Sequence, residues 1–174
     1  MPRTLKLTSG DVTKEIDFFN FTKILLGYTK LTDVHKEWCK EVDTTHSRKL
    51  FLKPRGTYKS TIYTVAYPMW KLVHNPNERI LIANATSDNA EAFLREITTQ
   101  LLRNERFIDV FGKLIDANTS KVSSVTVKNR TSFNKEPSVS TVGVLGNLVS
   151  AHYSTIICDD LCNDKDRESD SIRE

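Results

Sequence analysis

The spacing of apolar and polar positions changes several times along the chain, and each change marks an element. Residues 1–14 keep no sustained period and read as a loose arm. From Ile16 to Leu26 apolar residues recur at helical spacing. A cap at Thr32 or Asp33 predicts a second helix to about Val42. Lys49 to Lys53 is a short apolar run and predicts a strand. Ser60 to Val73 is rich in aromatic and β-branched residues, which predicts a well-buried helix, ended by Asn75-Pro76-Asn77. Arg79-Ile80-Leu81-Ile82-Ala83 is a continuous apolar run of the kind buried on both faces of a parallel sheet. Ser87-Asp88 then caps a long helix to about Leu102, and Asn104 opens a shorter one that stops at Phe111-Gly112. Beyond Lys121, Val122, Val125, Val127 and the run Ser138 to Val142 predict short strands around turns. Gly143 and Gly146 mark a loop. Ser154-Thr155-Ile156-Ile157-Cys158 predicts a last strand, running into Asp159-Asp160.

Strands alternating with helices predict an α/β domain around a largely parallel sheet. Ligands of such sheets sit at the carboxyl ends of the strands. Two polar segments fall at such ends, the loop 53–60 and the pair Asp159-Asp160.

The loop carries phosphate-binding chemistry. A turn that enters a helix leaves backbone N–H groups unpaired at the positive end of the helix dipole, and both favour an anion. Lys59 adds a full charge for the β- and γ-phosphates, and the Ser60 hydroxyl suits a magnesium ion. Two opposite charges about 4 Å apart attract by roughly 4 kcal/mol at an effective dielectric near 20. The consensus loop has Gly six residues before the Lys and again directly before it. Here those positions hold Lys53 and Tyr58, and only Gly56 remains inside the loop. A left-handed Tyr58 would cost roughly 1–2 kcal/mol. Read alone, the segment also fits a turn followed by an ordinary surface helix.

The acidic pair completes the chemistry. Asp159 can hold magnesium through water, and Asp160 can orient or deprotonate an attacking water. A strand ending in an Asp-rich turn is the plainer reading, and the loop some 100 residues upstream is what favours the site.

Composition bounds the rest. The 174 residues suit one domain, and 39% hydrophobic with 27% charged residues are ordinary for a globular protein. Asp159 onward holds seven acidic and three basic residues, a net of −4, while the remainder holds 22 basic and 15 acidic residues, a net of +7. A basic body suits a polyanionic partner. Cys39, Cys158 and Cys162 are too few and too odd in number for a disulfide framework, and no second Cys/His pair gives them zinc spacing. No apolar run nears the roughly 20 residues of a membrane span, and the N-terminus lacks a signal-peptide core, so a cytoplasmic protein is expected. Residues 164–174 read as a loop entering a helix that does not close, which suggests a C-terminally truncated domain.

Taken in order, these pieces resemble the N-terminal ATPase domain of the large terminase subunit of tailed phages and prophages. The resemblance runs from about Leu31 to the C-terminus, after an N-terminal arm and helix over 1–30. Leu31-Thr32-Asp33-Val34-His35-Lys36-Glu37-Trp38 resembles the family's adenine-side segment. Leu52 to Thr61 resembles its variant phosphate loop, which commonly carries Arg and tolerates missing glycines. Tyr67-Pro68-Met69-Trp70, Asn75 to Ala83, Pro137 to Val144, His152-Tyr153 and Ile156 to Asp160 follow in the family's order. The resemblance implies a P-loop NTPase of RecA-like, three-layer architecture in the additional-strand class. It implies ATP and Mg2+ as cofactors, with Gly56, Thr57, Tyr58, Lys59, Ser60 and Thr61 cradling the phosphates. Arg55 would lie near the γ-phosphate, Ser60 and Asp159 would serve magnesium, and Asp160 would stand where the family places a catalytic carboxylate, usually Glu. His35 would stand at an adenine-reading Gln position, and His152 where some relatives carry a basic residue that acts on a neighbouring subunit. The implied partners are double-stranded DNA, a portal protein, a small terminase subunit and further copies in a ring, in the cytoplasm of a bacterial host. The family's coupling motif and its C-terminal nuclease domain have no counterpart within the 174 residues. A helicase-like ATPase and a non-hydrolysing nucleotide-binding or assembly module are the alternatives.

Overall fold

The computed structural model describes residues 4–9, 12–42, 44, 46–116, 118, 120–146 and 151–162. The expected helix entry over 164–174 therefore lies outside the described residues.

Where it is described, the N-terminal arm forms strands instead of a loose segment. Strands β1 (Thr4–Ser9) and β2 (Val12–Asp17) form an antiparallel hairpin, in register from Thr4↔Asp17 to Ser9↔Val12. Ile16 and Asp17 thus belong to a strand. The Asp17 side chain then accepts from the Asn20 N–H at 2.8 Å and caps helix α1, which runs from Phe18–Asn20 directly into a π-helical segment Phe21–Leu25. Helix α2 covers Asp33–Val42, as its cap predicts.

Helix α3 is the centre of the core. It joins a π-helical segment Thr61–Ala66 to an α-helical one, Tyr67–His74, and buries Ile62, Val65, Met69, Trp70 and Leu72. The aromatic and β-branched content of Ser60 to Val73 predicts this burial. Trp70 meets Phe21 edge-on at 5.1 Å and the tilted ring of Phe18 at 5.6 Å, and Phe21 reaches Phe107 and Phe111 at 6.3 and 6.2 Å. Each fully buried side chain of this size contributes about 1.5–3 kcal/mol.

Beyond α3 the chain builds a mostly parallel four-stranded sheet. Strand β3 (Ile80–Asn84) leads to helices α4 (Ser87–Arg103) and α5 (Glu105–Phe111), then β4 (Ser124–Val125), β5 (Val139–Gly143) and β6 (Thr155–Cys158). The order is β4-β5-β3-β6, with β3 parallel to β5 and to β6, and β4 antiparallel to β5. Thr86 caps α4 through the Asn89 N–H, and Asn104 caps α5 through the Phe107 N–H. The chain is a mixed α/β fold with helices packed on this sheet.

One strand expectation is corrected. Lys49–Lys53 forms no regular element and pairs with no strand of the sheet among the described residues. Phe51 stacks on Tyr63 at 4.1 Å, while Leu50 and Leu52 on the other side are both 82% exposed. The last predicted strand is present as β6, where Ile156 is 61% exposed. Among the described residues its one neighbouring strand is β3. Gly143 ends β5 where the sequence suggested a loop.

Candidate functional site

The loop is held from both sides. Lys53 Nζ lies 2.9 Å from Glu41 Oε2 and 4.9 Å from the Trp38 ring centre, which ties the incoming segment to α2. Gly56 takes φ +73°, and the Thr57 hydroxyl donates back to the Pro54 carbonyl at 2.6 Å. That hydroxyl closes the turn. Tyr58 adopts φ +59°, the left-handed conformation that consensus loops leave to glycine. The Tyr58 carbonyl accepts from the Ile62 N–H at 3.0 Å, so the helix starts directly behind it, with Lys59 and Ser60 already helical. The N–H groups of this first turn lack helical partners. Arg55 is exposed at the apex of the turn.

The acidic pair meets this helix start. The Asp159 N–H donates to Ala83 O at 3.0 Å, the Asn84 amide donates to Asp159 O at 2.7 Å, and Ala85 N–H donates to Asp160 O at 3.2 Å. Asp160 is thereby fixed at φ +45°, and its Oδ1 lies 3.0 Å from Lys59 Nζ. Asp159 Oδ2 accepts from the Thr64 hydroxyl at 2.9 Å. The loop and the acidic pair therefore converge at the carboxyl ends of β3 and β6, where the topology predicts a ligand site.

Other expected residues fall differently. His35 Nδ1 accepts from the Thr32 N–H at 2.9 Å, a reciprocal cap at the start of α2. Its ring meets Trp38 and Tyr58 edge-on at 5.0 and 5.8 Å, so it does border the loop. His152 precedes β6, at the opposite end of that strand from Asp159 and Asp160, and its side chain is exposed. Its backbone N–H donates to Glu136 Oε1 at 2.9 Å, which, with a contact from Glu136's own backbone, holds the Glu136 carboxyl below the usual glutamate range.

Thr64 and Asn84 were not singled out in the sequence. Asn84 had one legible signal, a polar residue closing an otherwise apolar strand. Thr64 had none, because its contact spans 95 residues.

The donor chemistry fits magnesium. Among the described residues no group of three His, Cys, Asp or Glu side chains could hold a metal ion alone. Magnesium keeps several waters and takes one or two protein oxygens beside substrate phosphates. Ser60 and Asp159 are hard oxygen donors of that kind. None of the three cysteines forms a disulfide, and Cys39 is buried while Cys158 and Cys162 are exposed. No described helix is long and apolar enough to cross a membrane. Neither a protein-family model nor a curated protein matches the chain.

Proposed function

We propose that the chain binds ATP with magnesium at the Lys59 loop and hydrolyses it, as the motor domain of a phage-type terminase large subunit that drives double-stranded DNA into a capsid. The observation that carries the reading is the approach of Lys59 to Asp160, 3.0 Å apart, at the carboxyl ends of a mostly parallel sheet. A helix start whose lysine meets one carboxylate past the end of β6, with a second carboxylate beside it in the chain, has the charges that phosphoryl transfer to water uses.

The roles follow from the chemistry. Lys59 neutralises charge on the β- and γ-phosphates, with the N–H groups of the first turn of α3 beside it. Arg55, free to swing at the turn apex, meets charge developing on the γ-phosphate. Ser60 and Asp159 would hold magnesium, which when bound supplies neutralisation of the phosphate oxygens. Asp160 orients the attacking water. His35 and Tyr58 border the space for the base. The parent assembly would be a ring on a portal protein, supplied with DNA by a small terminase subunit, and its DNA contacts would be salt-sensitive.

A second reading is a nucleotide-binding module without turnover. It is favoured by the shorter reach of Asp160 and by its engagement with Lys59. An ATP titration followed by a turnover assay separates the two. Lys59→Ala is expected to weaken ATP binding at least about tenfold, given one lost charged contact of roughly 1.5–3 kcal/mol. Unchanged affinity would remove the phosphate-loop assignment. Binding without phosphate release in the intact protein would favour the module.

A further inference from the structure

We propose that Thr64 is a positioning residue that sets the Asp159 carboxylate for a magnesium ion carried by the triphosphate. The proposal rests on the nucleotide-site reading and deepens it.

Thr64 is 1% exposed, and its hydroxyl lies 2.9 Å from Asp159 Oδ2. An ionised carboxylate only accepts, so Thr64 is the donor. A threonine inside a helix ordinarily turns its hydroxyl to the carbonyl four residues back. Here it reaches across to β6. The local helix is π-helical, with the Tyr67 N–H donating to Ile62 O, five residues back. Such turns widen a helix and gather at functional sites.

Thr64 follows Ser60 by four residues and lies about one turn below it on the same side of α3. Thr64, which holds one of the two oxygen donors for magnesium, thus shares a side of α3 with the other, Ser60. The backbone of Asp159 is already fixed by Ala83 and Asn84. What the backbone leaves free is the rotation of the carboxylate, and the Thr64 hydroxyl fixes that. With Oδ2 engaged, Oδ1 is the oxygen presented to a metal-bound water. Hydrogen bonds that orient a metal-holding carboxylate are commonly worth 10–100-fold in metal affinity.

The test measures ATP affinity at a series of free Mg2+ concentrations and in EDTA. Thr64→Val, close in shape and without the donor, is expected to need about 10-fold more Mg2+ for half of its metal-dependent gain in affinity. Its affinity for ATP in EDTA should stay that of the wild type. Thr64→Ser should restore the wild-type Mg2+ dependence, and in an Asp159→Asn background Thr64→Val should change nothing further. A wild-type Mg2+ dependence in Thr64→Val overturns the proposal. So does a loss of EDTA binding in both Thr64→Val and Thr64→Ala, since Thr64 would then act through the fold. A wild-type protein that binds ATP in neither condition overturns the nucleotide-site reading itself, and this proposal with it.

Discussion

Lys59 Nζ and Asp160 Oδ1 lie 3.0 Å apart although 101 residues separate them in the chain. The contact joins the helix that follows the loop to the strand end that carries the acidic pair. It also means that the lysine offered to a phosphate already has an anionic partner. An arriving triphosphate must either displace Asp160 or share the ammonium with it.

That competition gives the first prediction. Asp160→Asn frees Lys59, so ATP affinity should hold or rise. The gain is bounded at about fivefold, because the Asp160 side chain is 63% exposed and such pairs are worth up to about 1 kcal/mol. Turnover in the intact protein should fall by at least two orders of magnitude, the usual size of a lost acid–base contribution. Titration and phosphate release read the two effects separately. Undiminished turnover places the catalytic carboxylate elsewhere.

Tyr58 provides the second. Its φ of +59° costs a non-glycine residue roughly 1–2 kcal/mol. Tyr58→Gly loses the ring's contact with His35 but sheds that strain, and should stay within about 1 kcal/mol of the wild type. Tyr58→Val adds a branched Cβ at the same φ and should lose more than about 2 kcal/mol. Denaturant midpoints decide the order. A valine variant as stable as the glycine one would mean that the left-handed turn is not enforced.

Much of this framework was legible from periodicity and caps. The segments Thr32–Val42, Ser60–Val73 and Asn104–Phe111 carry complete signals, since the apolar period and the terminal residues agree. The mostly parallel sheet follows from alternating elements. The hairpin at Thr4–Asp17 was missed because its alternation is short and polar, so pairing between its own strands decides it. Lys49–Lys53 failed the other way. Its composition is strand-like, but a strand needs a partner ladder, and here Phe51 on Tyr63 and Lys53 on Glu41 anchor the segment through side chains. In the site, the loop and the acidic pair are contiguous motifs and could be read directly. Thr64 and Asn84 act through contacts over 95 and 75 residues, which no local pattern encodes.

Gly143 gives a third prediction. A Cβ there would lie 2.7 Å from the Ser87 backbone nitrogen and 2.8 Å from its Oγ. The side-chain oxygen can rotate away, but the backbone nitrogen at the start of α4 cannot. Gly143→Ala should therefore push α4 from the end of β5 and cost about 1–3 kcal/mol, the usual range for overpacking. Thermal melting reads the loss, and amide exchange should localise it to the first turn of α4. An unchanged melting midpoint would show that this approach is not tight.

The fourth prediction concerns pH. The Glu136 carboxyl accepts the His152 N–H at 2.9 Å, and its pKa lies below the ordinary glutamate value of 4.5. The backbone N–H contacts are the main cause, since they stabilise the charged form, with Lys135 and Arg79 adding smaller attractions and burial opposing them. A carboxylate with a depressed folded-state pKa contributes its full stabilisation above the unfolded value. As pH falls below about 4.5, the unfolded chain takes up the proton first, and the contribution drains away until the folded carboxylate is protonated too. Glu136→Gln keeps the shape and removes the charge. It should melt below the wild type at pH 6–7, and the gap should narrow steadily as pH falls from about 5 to 3. His152 lies just ahead of β6, which begins at Thr155, so amide exchange at Ser154 and Thr155 should rise over the same window. A gap that stays constant with pH would mean that Glu136 supports β6 by shape and neutral hydrogen bonding, not by its charge.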